Sequence, residues 1–420
     1  MSSQNSSALG MEFRRGWTIV MVACVGMGCG LSAIPIYSIG TFTKPLIEAF
    51  GWSRAEVQGI YSWMTIGNLV AAPALGWLID MQGVRRIALW SVVGMGVGYV
   101  TLGLIAGPLW SFYLLAFCTA VLGVGTVPIT WTRVVIDWFD VGRGRALGLA
   151  LTGSGITAMI IPTYTNWLIT DYGWRMAFIG LGLLPTAVAL PMVYFFLHDR
   201  TGIRHDKNAL PSAPKVVEQT GLDFRAAISG YRFWAINVAF FLVGACVAGL
   251  IAHLVPMLTD QGIERGTAAQ IAGVIGASVI VARIGSGYLI DRFWAPGVGM
   301  VLLCMPAIAC LILMSNAGSV PLALFSAMLI GIAAGAEFDI MAFLVSQYFG
   351  QRRYGVIYAC AYTVFKISAG VGAPLFGFAF DRTGSYGTIL SLAIGSLVAG
   401  SAVLLVLGRY PAKAEATAAA

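Results

Sequence analysis

Long apolar stretches alternate with short polar ones from the beginning of the chain to its end. Twelve of the apolar stretches are long enough to cross a membrane, which takes about 20 helical residues. They lie at roughly 17–43, 57–79, 87–106, 110–134, 145–170, 175–197, 233–258, 268–290, 296–315, 318–346, 356–380 and 386–408. The pattern therefore predicts an all-α membrane protein with 12 transmembrane helices.

Short phrases recur at half the length of the chain. The run from Gly76 to Asp80 reappears 211 residues later from Gly287 to Asp291. The same offset separates Gly51 from Gly262, Arg54 from Arg265 and Gly173 from Gly384. A parallel repeat of this size predicts two pseudo-symmetric six-helix bundles that face each other across an axis normal to the membrane.

The repeat also divides the chain into parts. We expect a cytoplasmic tail at 1–16, a first bundle at 17–197, a cytoplasmic connector at 198–232, a second bundle at 233–408 and a second tail at 409–420. The last part of the connector, from Leu222 to Arg232, is either a short helix on the membrane surface or a plain loop. Ser53-Arg54-Ala55-Glu56 predicts a capping box at the start of the second helix.

The composition agrees with a membrane location and excludes several classes of function. Apolar residues make up 58% of the chain and charged residues 10%, too few charges to cover a soluble globule of this size. The seven cysteines lie inside apolar segments without metal-ligand spacing. No metal, cofactor or catalytic nucleophile is indicated, which argues against an enzyme.

The basic residues predict the orientation. If the N-terminus is cytoplasmic, most lysines and arginines fall in cytoplasmic segments and few in outside loops. That bias predicts that both termini are cytoplasmic. The net charge of +7 then reflects topology and contact with anionic lipid, so no nucleic-acid partner is expected.

Two charged motifs stand at helix ends in the first half. They read Gly76-x-x-x-Asp80-x-x-Gly83-x-Arg85-Arg86 and Arg143-Gly144-Arg145. Both resemble loop signatures of the major facilitator superfamily, and the resemblance covers the whole chain. It implies two rocking bundles whose charged helix ends close a cytoplasmic gate. The gate residues expected at these helix ends are Asp80, Arg85, Arg86, Arg143, Arg145 and Asp291.

Five ionisable residues lie inside the apolar stretches, where each costs about 2.5–3.5 kcal/mol to insert. They are Arg133, Arg283, Lys366, Glu337 and Asp339. Three cations against two carboxylates leave one net positive charge, which could neutralise a substrate carboxylate. Arg133 lies four residues before Asp137 near a cytoplasmic end, which favours a gate pair or snorkelling over substrate binding.

Helix eleven presents an aromatic and cationic stripe. Tyr358, Tyr362 and Lys366 are spaced at i, i+4 and i+8, so they lie on one face. Such a stripe suits a planar organic anion, and Tyr37 could also stack on a ring. We expect Arg283, Lys366, Tyr37, Tyr358 and Tyr362 to bind substrate.

Glu337 and Asp339 point about 200° apart on their helix, so they cannot both face one cavity squarely. We expect Glu337 to pair with Lys366 or Arg283, and Asp339 to join a gate near Arg352 or Arg353, although the two assignments could be exchanged. Glu337 is the expected proton carrier. A second proton candidate is His253, which is more often a structural hydrogen-bonding group.

Two further runs carry a closer resemblance. Val279-Ile280-Val281-Ala282-Arg283 is similar to the eighth helix of the monocarboxylate transporters and the oxalate/formate exchangers, and Gly335-Ala336-Glu337-Phe338-Asp339 resembles a bacterial branch near them. The resemblance implies an arginine that meets a carboxylate. It departs from the animal carriers at Val279, where they have an aspartate, and at Tyr37, where they have a lysine.

These features together predict proton-coupled uptake of a small organic anion, a monocarboxylate or an aromatic acid, across a bacterial inner membrane. A single chain holds both bundles, so a functional monomer is expected. Three alternatives stay open at this point: a carrier of a neutral aromatic or vitamin-like solute, an organic-anion exchanger, and a transporter-like sensor that signals without turnover.

Overall fold

The computed structural model describes residues 3–105, 107–139, 143–197, 221–315, 318–350 and 352–410, and leaves aside the side chains of residues 3–10, 76, 80 and 143–145. This part of the chain is built of helices, with one isolated bridge between Gly221 and Gly350. Eight of the described helices are long and apolar enough to cross a membrane. The all-α membrane fold is confirmed, and the count of 12 crossings stays a prediction.

The first half contains seven helices in the described part. They are α1 (Ser3–Gly28), α2 (Ile34–Phe50), α3 (Arg54–Gln82), α4 (Val84–Leu104), α5 (Leu109–Leu122), α6 (Pro128–Trp138) and α7 (Arg143–Phe196). Helix α7 bends at Gly173, whose φ of 84° and ψ of 166° are not helical. Since its apolar part, Ala146–Phe196, has 51 residues and is about 75 Å long, α7 provides enough length for two crossings. Helix α1 already begins inside the segment that we expected to be a tail.

The second half contains the other seven described helices. They are α8 (Phe224–Ser229), α9 (Tyr231–Asp260), α10 (Arg265–Arg292), α11 (Ala295–Ser315), α12 (Val320–Phe349), α13 (Tyr354–Thr383) and α14 (Gly387–Val403), which a 3-10 turn extends to Leu407. Helix α8 falls in the last part of the predicted connector, so that part forms a short helix rather than a loop. The rest of the connector, 198–220, lies outside the described residues, as does most of the C-terminal tail.

The sequence repeat is also a structural repeat. Helices α4 and α11 begin and end 211 residues apart, and α3 and α10 begin with the repeated arginines. Gly51 and Gly262 have φ of 71° and 87° at matching turns, and Gly173 and Gly384 have φ of 84° and 69°. Left-handed backbone of this kind favours glycine, which explains why these positions recur in the sequence.

The two halves differ at two helices that are broken in the first half only. We expected single spans at 17–43 and 110–134, but Cys29–Ala33 separates α1 from α2, and Gly123–Val127 separates α5 from α6. The corresponding helices α9 and α12 are continuous. Glycine near each break and proline at the start of α2 and α6 favour interruption of the helix.

The two breaks contact each other. The amide of Leu31 donates to the hydroxyl of Thr126 at 3.1 Å, and the Trp131 indole donates to the Thr126 carbonyl at 3.0 Å. Non-helical backbone at membrane depth requires partners inside the protein. These bonds supply such partners and join the first membrane helix to the fourth.

The halves meet along three helix pairs with close backbone approaches, one of them between α2 and α9, where a Cβ at Gly40 would lie 2.5 Å from the Ala252 carbonyl oxygen. In the contact between α7 and α10, a Cβ at Gly273 would lie 2.7 Å from the Met159 carbonyl oxygen. In the contact between α3 and α13, a Cβ at Gly377 would lie 2.6 Å from the Ala55 nitrogen. Small residues at such contacts let helices pack closely. Each half also has a hydrophobic core of its own.

Candidate functional site

Five polar side chains from both halves meet between the bundles. Tyr37 interacts electrostatically with Arg283, Glu337 and Tyr61, and Tyr61 interacts with Lys366. The first half supplies the two tyrosines, from α2 and α3, and the second half supplies the three charges, from α10, α12 and α13. We call these five residues the central cluster. It brings together four of the predicted site residues and adds Tyr61.

Glu337 is the buried carboxylate of the central cluster. Its side chain is 3% exposed, and its Oε1 atom has no hydrogen-bond partner among the described residues. Its electrostatic neighbours are Arg283 and Lys366, the two cations that we expected as its partners. A buried polar atom without a hydrogen bond costs free energy, so such an atom is expected to serve a purpose other than stability.

Asp339 lies elsewhere than predicted. We expected it near Arg352 or Arg353, but its Oδ1 atom is 3.8 Å from Nη1 of Arg283, and Ser286 Oγ donates to its Oδ2 at 3.2 Å. The Arg353 guanidinium is instead 3.4 Å from Asp223. The reason is distance along α12, because Asp339 precedes the end of that helix at Phe349 by ten residues, or about 15 Å.

The aromatic stripe predicted on helix eleven is present on α13. The rings of Tyr354 and Tyr358 stack at 5.7 Å between centroids, and those of Tyr358 and Tyr362 at 6.3 Å. Lys366 Nζ lies 5.5 Å from the Tyr362 ring centroid, within range of a cation–π contact. The stripe thus runs along one face of α13 to Lys366, one of the two cations of the central cluster.

A small cavity adjoins Lys366. It has a volume of about 20 Å³ and is lined by Leu31, Pro35, Tyr61, Met64, Thr65, Asn68, Leu69 and Lys366. That volume holds about one water molecule. An organic acid is larger, so it could bind here only after the surrounding helices move.

A second polar cluster joins the halves where α2, α9 and α13 end and α3 begins. Arg54 Nη1 lies 2.7 Å from Asp260 Oδ2, and Lys44 Nζ lies 3.0 Å from Asp260 Oδ1. The Asp381 carboxylate accepts hydrogen bonds from the amides of Arg54 and Ala55 at 3.0 and 2.9 Å. We call Lys44, Arg54, Asp260 and Asp381 the cross-half latch.

The latch completes the cap of α3. The predicted capping box is confirmed, since Ser53 accepts from the Glu56 amide and the Glu56 carboxylate accepts from the Ser53 amide. The two remaining free amides at the start of α3, those of Arg54 and Ala55, donate to the Asp381 carboxylate of the other half. The carboxylates also face the positive end of the α3 dipole, which strengthens the contact. The sequence indicated the box but not the partner across the interface.

His253 belongs to this region rather than to the central cluster. Its Nε2 atom is 2.8 Å from the Ala373 carbonyl, which can only accept, so Nε2 carries the proton. In the neutral ring Nδ1 then accepts from the Tyr386 hydroxyl at 2.9 Å, and that hydroxyl accepts from Arg54 at 2.6 Å. Both nitrogens of His253 are therefore engaged in structural hydrogen bonds.

The predicted gate residues lie at the other end of the bundles. Arg85 donates to the Tyr194 carbonyl of its own half at 2.6 Å. Arg86 and Asp291 are exposed and form no ion pair within the described residues. Arg133 is half-buried on α6. The side chains of Asp80, Arg143 and Arg145 lie outside the described part of the chain.

Comparisons with known proteins agree with this architecture. A model of the Major Facilitator Superfamily matches residues 16–373. Monocarboxylate transporter 11 of Mus musculus is 26% identical, over 94% of this chain and 88% of that protein. Monocarboxylate transporter 13 of Bos taurus is also 26% identical, over 94% and 90%. An uncharacterized MFS-type transporter, YcxA of Bacillus subtilis (strain 168), is 23% identical, over 84% and 86%.

A solved structure shares the fold. It is the crystal structure of a bacterial homologue of the human lysosomal transporter Spinster, in an inward-facing and unoccupied conformation. The TM-score is 0.65 at 17% sequence identity, and the alignment covers 97% of this chain and 96% of that one. At this identity the likeness concerns the arrangement of helices.

Proposed function

This chain belongs to the Major Facilitator Superfamily, and we propose that it is a secondary transporter that takes up a small organic anion by alternating access. The anion is a monocarboxylate or an aromatic acid. The names of the relatives, two monocarboxylate transporters, support this substrate class. The proposed setting is a bacterial inner membrane with both termini cytoplasmic and a single chain as the working unit.

The observation that carries the proposal is the charge balance of the central cluster. Arg283 and Lys366 face one carboxylate, Glu337, between the two halves. Asp339 lies closest to Arg283, at 3.8 Å, whereas Lys366 has no carboxylate within 4 Å in the described part of the chain. Lys366 is therefore the cation that a substrate carboxylate could approach, and the tyrosines could hold the rest of the molecule.

Glu337 is proposed to couple transport to protons. When a substrate carboxylate occupies Arg283 and Lys366, Glu337 loses its basic neighbours and can hold a proton instead. Its free Oε1 atom leaves room for that exchange. Proton and anion would then cross together, which is electroneutral uptake.

The cross-half latch is proposed to close the outer end of the transport path. The predicted orientation puts the ends of α2 and α9 outside, so the latch would hold the carrier closed to the outside. The gate residues Asp80, Arg85, Arg86, Arg143, Arg145, Asp291 and Arg133 would then act in the opposite, outward-open state, whereas Asp339 pairs with Arg283. The bond from Arg85 to the Tyr194 carbonyl, which lies within the first half, is consistent with such alternation.

Counterflow in proteoliposomes tests the proposal. We expect a labelled organic acid such as benzoate to exchange, and Arg283→Gln to lower its rate by about 10- to 100-fold, because a charge-assisted hydrogen bond contributes about 1.5–3 kcal/mol. Arg292→Gln, which changes an exposed arginine at the end of the same helix, is the matched control and should exchange normally. Normal exchange by Arg283→Gln would contradict the proposal.

A neutral aromatic solute is the second candidate. The stacked rings of Tyr354, Tyr358 and Tyr362 favour it, as does the internal pairing of Arg283 with Asp339. The same assay with benzamide separates the two candidates, since the amide has the shape of the acid without its charge. Equal counterflow of acid and amide would support the neutral solute.

A further inference from the structure

A groove on the surface of the first half has the predicted gate residue Arg86 at its end. The groove lies between the start of α4 and the end of α7 and has a volume of about 450 Å³, within the range of ligand pockets. Leu89, Val93 and Leu190 form its apolar wall, and Arg86 is its one charged lining residue. We call it the α4–α7 groove.

The cationic end of the groove lies at the start of α4. Arg86 is the third residue of α4, and Val93 lies seven residues, or about 10 Å, further into the helix. The Cζ atom of the neighbouring Arg85 lies 5.5 Å from the centroid of the Tyr194 ring. Trp90 and Tyr194, both more than half exposed at the rim, are the residue types found where membrane meets water.

A second groove in the other half serves as a natural comparison. It lies between the end of α10 and the start of α11 and has a volume of about 410 Å³. Gly297 and Val301, which line it, stand 211 residues after Arg86 and Trp90. No basic residue lines this groove. The α11 wall of this groove repeats the α4 wall of the first groove without a cation, whereas its other wall comes from the end of α10 and not from the repeat of the α7 end.

We propose that the α4–α7 groove binds an anionic phospholipid, with its phosphate at Arg86 and an acyl chain along Leu89, Val93 and Leu190. Basic groups at this depth attract anionic headgroups, and the apolar wall suits hydrocarbon. The groove is lined by residues of the first half alone, so it lies apart from the central cluster. Arg86, which we expected in a gate, thereby gains a second role at the lipid boundary.

Native mass spectrometry of the delipidated full chain tests the site. The protein is titrated in detergent with dioleoyl phosphatidylglycerol or dioleoyl phosphatidylcholine, and Kd is read from the fraction with one bound lipid. We expect tighter binding of phosphatidylglycerol, and a Kd about fivefold higher in Arg86→Gln, equivalent to about 1 kcal/mol per basic residue near an anionic surface. Phosphatidylcholine binding should not change, and Arg86→Lys should keep the preference.

A pair of groove-filling variants provides the control. Val93→Trp fills the α4–α7 groove without changing a charge, and Val301→Trp fills the second groove, so we expect only the first to weaken phosphatidylglycerol binding. Inorganic phosphate at the same concentrations should not compete, because it cannot occupy the apolar wall. The proposal is overturned if Arg86→Gln binds phosphatidylglycerol as the wild type does, or if Val301→Trp weakens binding as much as Val93→Trp.

Discussion

Glu337 and its repeat partner show how one residue position came to serve two purposes. The residue 211 positions before Glu337 is Thr126, which lies in the break between α5 and α6 and accepts the Leu31 amide through its hydroxyl. In the first half the position therefore holds two helix breaks together. In the second half α12 is continuous, so the same position is not needed for backbone hydrogen bonds and can carry a charge.

The proton role of Glu337 leads to a prediction at the scale of one residue. Glu337→Gln keeps the size of the side chain and cannot exchange a proton, so we expect counterflow to persist while accumulation driven by a pH gradient is lost. Asp339→Asn is the matched control, two residues along the same helix, and should keep the pH-driven accumulation. The opposite outcome, with the loss in Asp339→Asn alone, would transfer the proton role to Asp339.

The central cluster was partly predictable from the sequence. Arg283, Glu337 and Lys366 are conspicuous because charges are rare in apolar stretches. Tyr61 was missed, because a tyrosine in an apolar helix carries no signal of the direction in which its hydroxyl points. The partner of Asp339 was also missed, since helix periodicity gives the face of a residue but not its neighbour on another helix.

At the scale of elements, the helix start of α3 carries the strongest link between the halves. Its free amides are bound by a carboxylate of α13, so the helix is fully capped only while the two halves are in contact at this end. The equivalent helix of the second half, α10, has Glu264 at its N-cap and no side-chain cap bond. In the described part of the chain, capping of a helix start by a carboxylate of the opposite half therefore occurs at α3 and not at α10.

This asymmetry predicts that Asp381→Asn loosens the latch. A carboxylate at a helix N-terminus stabilises the helix by about 1 kcal/mol. Its loss should therefore raise the fraction of molecules that are open at the latch end roughly fivefold. The measurement uses Thr65→Cys, which places a thiol in the Lys366 cavity, in a protein whose native cysteines are replaced by serine. A thiol reagent added on the latch side of the membrane then labels the molecules that are open at that end. Glu264→Gln is the matched control, and an equal rise in both variants would refute the role of the latch.

The elements themselves followed closely from the hydrophobic pattern, whereas their interruptions did not. The repeat placed the starts of α3 and α10 at matching arginines because turns with left-handed glycine recur with the sequence. The breaks at Cys29–Ala33 and Gly123–Val127 lie inside apolar stretches, where hydropathy is the same for broken and unbroken helix. Their hydrogen-bond partners come from each other, and such long-range pairing is not visible in a local pattern.

At the scale of the whole molecule, the two halves share ion pairs at one end and the central cluster between them in the described part of the chain. Cross-half ion pairs and helix capping concentrate at the latch, and small residues line the contacts of α7 with α10 and of α3 with α13. Glycine-rich contacts allow helices to shift, whereas ion pairs at one end fix a state. This distribution suits rocking of two bundles about a central site.

A cross-link at the latch should therefore stop transport. We expect a short bifunctional thiol reagent to join Lys44→Cys to Asp260→Cys, whose native side chains meet at 3.0 Å across the halves, and to abolish counterflow until a reductant releases it. Arg353→Cys with Asp223→Cys is the matched pair, since those side chains meet at 3.4 Å within one half. Cross-linking there leaves both bundles free to rock, so counterflow should continue. Undiminished counterflow with the latch fully cross-linked would exclude rocking of the halves at this end as the transport motion.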